Sequence, residues 1–279
     1  MPRRTLARRV DFSGIALHTG VATSMVVHPA PAGSGVVFVR SDLAGAPRVA
    51  ARLAEVEATE RRTAICRPPA TIHTVEHLLA ALAALEVDDA VIELEGPEPP
   101  ILDGSFAPFA DALMAAGMRE QPGKPIQWRV TAPLDVVAGD SRYRVQPHAG
   151  FRISVQVEWD HPAIGRQAGS WDVTPEGFRR ELARARTFGL VREVEMLQAR
   201  GLALGASYAN AIGLDEQGVV GTVLRWPDEF VRHKAGDLVG DLALLGGRIN
   251  AHVHAERPSH QGNVILARAI AAAAKEVDT

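Results

Sequence analysis

Between Val75 and Leu85, apolar side chains recur at Val75, Leu78, Leu79, Leu82 and Leu85, a three-to-four spacing that predicts a helix with one buried face. Thr74 is its expected N-cap, which places Glu76 and His77 in the opening turn. Ala90–Glu95 alternates as a strand does, and Asp103-Gly104-Ser105 reads as a turn that launches a helix through Met114. Farther on, Val231, Ala235, Leu238, Leu242 and Leu245 predict a helix that opens at Pro227 and stops at Gly246-Gly247. At about 100° per residue, His233, Asp237 and Asp241 fall on a different stripe of that helix, away from the core-facing positions. A last helix is expected from Ser259-His260 through Ala274, and β-rich runs precede these helices at Thr23–Arg40 and Tyr143–Trp159. The glycine-broken alternation over Arg184–Gly213 reads as a βαβ-like insertion.

The breaker cluster Gln121-Pro122-Gly123-Lys124-Pro125 divides the chain into a first domain, 1–121, and a second, 127–279, each opening with strands and ending in helices. The expected fold class is therefore α+β, with two tandem similar domains. A length of 279 residues fits two domains of ordinary size. The formal charge of −3 and the absence of a basic patch joined to aromatic platforms argue against nucleic acid as a partner. Cys66 is the single cysteine, which excludes an intramolecular disulfide and any CxxC site. No apolar run approaches the ~20 residues of a transmembrane segment. The basic opening MPRRTLARR continues into Asp11-Phe12-Ser13-Gly14 where a signal peptide would turn apolar. The expected compartment is the cytoplasm.

Three constellations could carry chemistry. His233 and Asp237, spaced i,i+4, can bring an imidazole nitrogen and a carboxylate oxygen to one metal ion, though the spacing alone more often marks a solvated, ion-paired face. Glu76 beside His77 could add a third ligand and a base for a water that the ion acidifies; alternatively, Glu76 simply complements the helix dipole. His73 and His77 also match the HxxEH pattern of inverzincin peptidases, but Thr74 as N-cap would leave His73 outside the helix. His260 stands at a helix start, where the dipole lowers its pKa unless a carboxylate such as Asp241 offsets it.

Taken together, Gly14–Gly20 (GIALHTG), Thr74–Ala81 (TVEHLLAA), Ile101–Ser105 (ILDGS), Ala185–Gly189 (ARTFG), Asp228–Leu242 (DEFVRHKAGDLVGDL) and Ser259-His260 resemble the UDP-3-O-acyl-N-acetylglucosamine deacetylases, the zinc enzymes of lipid A synthesis. The segments occur in the family's order across nearly the whole chain. The resemblance implies two domains, each a β-sheet backed by α-helices, with the active site between them. It implies His77, His233 and Asp237 as ligands of zinc, with iron(II) as the alternative ion, and Glu76 as general base. His260 then stabilises the oxyanion or protonates the amine, oriented by Asp241, and Thr187 helps polarise the amide carbonyl. Lys234 and Phe188 line the sugar and reaction centre. The acyl passage maps onto about 190–213, with Leu197, Leu202, Leu204 and Ile212 as candidate walls; Trp159 would lie near the uridine and Arg257 near the diphosphate. The implied partner is the small-molecule substrate UDP-3-O-acyl-N-acetylglucosamine, taken up by a monomer.

The chain departs from the family at Gly236, where a bulky apolar residue is usual, at Ser259, which replaces a common glycine, and at Gly213, a position usually larger in the acyl passage, which leaves the chain-length preference open. Lysine occurs only at positions 124, 234 and 275, so Lys234 stands out as a point charge in an arginine-rich chain. A peptidase built on His73, and a sugar-nucleotide binder without catalysis, remain the competing readings.

Overall fold

In the computed structural model, which describes residues 2–276, two mixed sheets and six helices form an α+β fold. The five-stranded sheet runs in the order Val10–Ile15, Ala22–Pro29, Ala90–Glu95, Val36–Arg40 and Arg48–Ala50. Period-two alternation turns Met25 and Val27 inward from one strand and Ile92 and Leu94 from its neighbour. The seven-stranded sheet is built around Arg248–Glu256, which pairs with Ser141–Gln146 and runs parallel to Phe151–Trp159 and Gln127–Arg129. Smaller sheets complete the strand set. Among the described residues no helix is long and apolar enough to cross a membrane.

The helices are α1 (Glu76–Ala84), α2 (Ala107–Ala116), α3 (Pro175–Glu181), α4 (Val194–Ala199), α5 (Glu229–Leu242) and α6 (His260–Ala273). Ser259 caps α6 by accepting from the Gly262 amide at 3.1 Å. The start of α1 differs from expectation. Val75, not Thr74, is its N-cap residue, and no side chain caps it. Thr74 adopts φ +53 and donates its hydroxyl to the buried Glu98 carboxylate at 2.6 Å instead. A left-handed β-branched residue is strained, and that hydrogen bond helps hold it two residues before Glu76.

The functional stripe of α5 also differs from expectation. Every residue of α5 except Arg232 and Lys234 is buried, so His233, Asp237 and Asp241 face packed protein rather than a solvated surface. Two glycines permit this. A Cβ at Gly240 would overlap the backbone carbonyl of Glu76, and one at Gly236 would overlap the Phe106 ring. The missing bulk at 236 is thus filled by Phe106, and α1 crosses α5 in direct backbone contact.

The expected βαβ-like unit is present: strand Phe188–Leu190 leads through a 3-10 turn into α4 and returns to the parallel strand Ile212–Leu214. It is anchored at its base by Arg186, 7% exposed, whose guanidinium and amide bind the fully buried carboxylate of Glu229 at the start of α5. Removing one partner strands the other without solvent. Glu229→Ala is therefore expected to lose about 3–5 kcal/mol of stability in denaturant unfolding. A loss below about 1 kcal/mol, the surface-pair range, would show that the pair contributes little.

Candidate active site

Close approach of α1 and α5 puts the two halves of the metal constellation face to face. His233 Nε2 lies 3.3 Å and His77 Nε2 3.7 Å from Asp237 Oδ1. The three ligand atoms lie within 4.8 Å of one another, and all three residues are buried. Bonds of about 2.0–2.1 Å at tetrahedral angles separate neighbouring ligand atoms by about 3.4 Å, so the spacing suits one small cation. Asp237 Oδ1 is buried and has no hydrogen-bond partner, which marks it as the free ligand atom of the group.

The surroundings keep each group in its ligating form. His233 donates Nδ1–H to the Ala185 carbonyl at 3.0 Å, which directs its Nε2 lone pair at Asp237. Phe106 stacks on His233 at 5.1 Å and meets His77 edge-on at 4.9 Å, fixing both rings. Burial, then the neighbouring His233, lowers His77 to about 3, and burial likewise lowers His233, so both rings are neutral. Burial opposes the Asp237 charge, but His233 and Lys234 hold its carboxyl far below the usual carboxylate range. Lys234 Nζ donates to Asp237 Oδ2 at 2.8 Å while lying 5.8 Å from the Phe188 ring centroid.

Glu76 and His260 face the cluster together. Glu76 Oε2 accepts from the Thr63 amide at 3.1 Å, and its other oxygen lies 3.9 Å from His260 Nε2. Burial, reinforced by Asp241 and Asp237, pushes the Glu76 carboxyl up to about 8 against the opposing pull of His260. His260 donates Nδ1–H to Asp241 Oδ2 at 2.9 Å, and although burial alone would lower it, this carboxylate carries it up to about 9. Asp241 is fixed in turn by the Thr63 hydroxyl at 2.6 Å and the Asn263 amide at 2.8 Å.

Beside this centre opens a cavity of about 380 Å³, walled by Leu17, His18, Thr187, Phe188, Leu197 and Ile212 among others. Thr187 is held by its amide, which donates to Gly104 O at 2.8 Å. Gly104 has φ +80 and lies so close to the Asn210 carbonyl that a Cβ there would overlap it. Of the expected wall residues, Leu197 and Ile212 reach the cavity. Leu202 and Leu204 do not: Leu202 is buried away from it, and Leu204 lies half-exposed over Gly20. Gly213 lines the cavity, and the space above it is filled by Tyr208. Trp159 stands edge-on to Phe188 at 5.2 Å, joining the expected uridine contact to the site. Arg257 is exposed at φ +48, three residues before His260, with its amide held by Gln156 O at 2.7 Å.

His73 lies outside α1, its amide bonded to Pro97 O at 2.8 Å, and it is not part of the ligand cluster. That removes the geometry a peptidase HxxEH helix requires. Thr63, Asn263, Phe106 and Glu98 are the residues that sequence reasoning missed. Glu98 is fully buried and accepts from the His18 and Thr19 amides and from both the Thr19 and Thr74 hydroxyls, tying the cavity wall to the turn before Glu76. Only Asn263 carried a usable signal, since it stands i+3 from His260 on one helical face.

Residues 3–272 match the family model described as UDP-3-O-acyl N-acetylglycosamine deacetylase. The chain is 41% identical over 269 residues to the UDP-3-O-acyl-N-acetylglucosamine deacetylase of Myxococcus xanthus, covering 96% of this chain and 86% of that one. It is 43% identical to the protein of that name from Nitratidesulfovibrio vulgaris, covering 94% and 85% of the two chains. With that of Brucella melitensis the identity is 44%, covering 88% and 86%.

Proposed function

The chain belongs to the UDP-3-O-acyl N-acetylglycosamine deacetylase family, and on that premise we propose that it hydrolyses the N-acetyl group of UDP-3-O-(3-hydroxyacyl)-N-acetylglucosamine, releasing acetate in the committed step of lipid A biosynthesis. The observation that carries this reading is the convergence of His77, His233 and Asp237 beside a Glu76–His260 pair, with Phe188 joining His233 to a cavity with apolar walls.

The three ligands would hold zinc, or iron(II), which when bound acidifies a water and polarises the amide carbonyl. Glu76 Oε1, the carboxylate oxygen without a hydrogen bond, takes the proton of the attacking water. Burial and the neighbouring carboxylates raise the proton affinity of Glu76, which strengthens it as an acceptor for the water proton. His260, raised to about 9, stays protonated there, stabilises the developing oxyanion charge and supplies the proton that the leaving amine needs. Asp241 keeps that imidazolium oriented and charged. Thr187 adds a hydroxyl toward the carbonyl, and Lys234 with Phe188 and Trp159 lines the sugar nucleotide, with Arg257 near the diphosphate. The acyl chain enters the cavity past Leu197 and Ile212. In this reading residues 1–121 and 127–279 are two domains of a cytoplasmic monomer.

The test compares UDP-N-acetylglucosamine with its 3-O-acylated form. Each buried methylene contributes about 0.8 kcal/mol, so six would raise kcat/KM by roughly three to four orders of magnitude. Part of the gain should appear in kcat, because remote binding energy can orient the reacting amide. Equal kcat/KM for the two substrates would leave a generic sugar-nucleotide deacetylase and remove the acyl passage.

A further inference from the structure

Tyr208 is an aromatic residue that the reaction chemistry leaves unused, 52% exposed on the wall of the apolar cavity. Its ring rests on two glycines. A Cβ at Gly213 would stand 2.6 Å from Tyr208 Cε1 and 3.1 Å from Val220 Cγ2, and a Cβ at Gly221 would overlap the ring itself. Gly213 pairs with Val220 across two antiparallel strands, so the two glycines form a flat floor. The turn that carries the ring is rigid: Asn210 accepts from the Ser207 amide at 2.8 Å and donates to Gly205 O at 3.0 Å. No side-chain hydrogen bond holds the Tyr208 hydroxyl among the described residues, so the ring is placed by packing on that floor.

Position along the strand gives this ring a meaning. Phe188, whose ring centroid lies 6.2 Å from that of His233, pairs with Ile212, and Gly189 pairs with Gly213 in the next register. Tyr208 lines the same cavity as Phe188, Leu197 and Ile212, so an acyl chain held in that cavity would meet the ring. We propose that Tyr208, seated on Gly213 and Gly221, sets how long an acyl chain the cavity accepts. The proposal rests on the acyl-passage reading and names its specificity-determining residue.

The experiment measures kcat/KM for 3-O-acyl substrates lengthened two carbons at a time, with the unacylated sugar nucleotide as reference. In the parent protein kcat/KM should climb about fourfold per added methylene up to a limiting length and then fall. Tyr208→Ala should move that limit to longer chains by at least one step, while Tyr208→Phe keeps the parental limit. Gly213→Ala, which pushes against the ring, should shift the limit as well. Length profiles of parent and Tyr208→Ala that coincide after scaling by one constant factor would overturn the proposal while leaving the passage in place. A parent protein indifferent to acylation would instead overturn the underlying reading. Circular dichroism and melting temperature confirm that each variant is folded, and Tyr208→Leu replaces Tyr208→Ala if the latter is not.

Discussion

A Glu76→Ala protein is expected to fold, to retain its metal and to lose about 10²–10⁴ of its kcat, the range that general base catalysis supplies. The expectation follows from position: Glu76 is buried against the ligand cluster but contributes no ligand atom to it. One structural effect must be separated. Glu76 Oε2 is the acceptor for the buried Thr63 amide, so alanine leaves that donor unpaired, at about 1–3 kcal/mol. Glu76→Gln keeps an acceptor at the same place and removes only the base. The two variants should share the loss of kcat, and the glutamine protein should be the more stable. Near-parental turnover in Glu76→Gln would take Glu76 out of the mechanism.

The second large effect concerns the ligands. Alanine at His77, His233 or Asp237 should reduce bound metal to well below one equivalent and abolish deacetylation, with metal content read by atomic emission. His73→Ala is the control and should bind metal like the parent, since His73 lies outside the cluster. Treatment with a chelator should stop the reaction while leaving the far-ultraviolet circular dichroism nearly unchanged. The hydrophobic core extends through both large sheets and the helices, so most of it lies away from these three residues. If the three alanine proteins held zinc as the parent does, and His73→Ala lost it, the ligand assignment would be wrong.

Much of this architecture could be read from local pattern. The stripe Val231–Leu245 located α5, the run Ala90–Glu95 located its strand with the observed boundaries, and Ser259 announced α6. These signals are short-range and periodic, which is why they survive without a structure. Thr74 misled because its capping chemistry was outbid by a distant acceptor, the Glu98 carboxylate. Thr63 was invisible for a related reason: its hydroxyl meets Asp241 across 178 positions of sequence, and no spacing rule connects them. The glycines of α5 each cost roughly 1 kcal/mol of helix propensity, and only Gly236 stood out in the sequence, as a departure from the family's bulky apolar residue. Their use lies in what they touch, Phe106 and Glu76, and that depends on how two helices cross.

The crossing at Gly240 also bears on how the molecule melts. Glu76 of one helix rests by its backbone on the other helix, and the apolar cluster continues through both. Neither helix can leave without exposing the partner's buried face and dispersing the catalytic groups in the same event. Two sheets of separate strand sets would ordinarily permit two endotherms in a calorimeter. The shared helix pair is expected to couple them into a single cooperative unit, which a calorimeter would show as equal van't Hoff and calorimetric enthalpies. Heat inactivation should then follow global unfolding, with no folded but inactive species accumulating first.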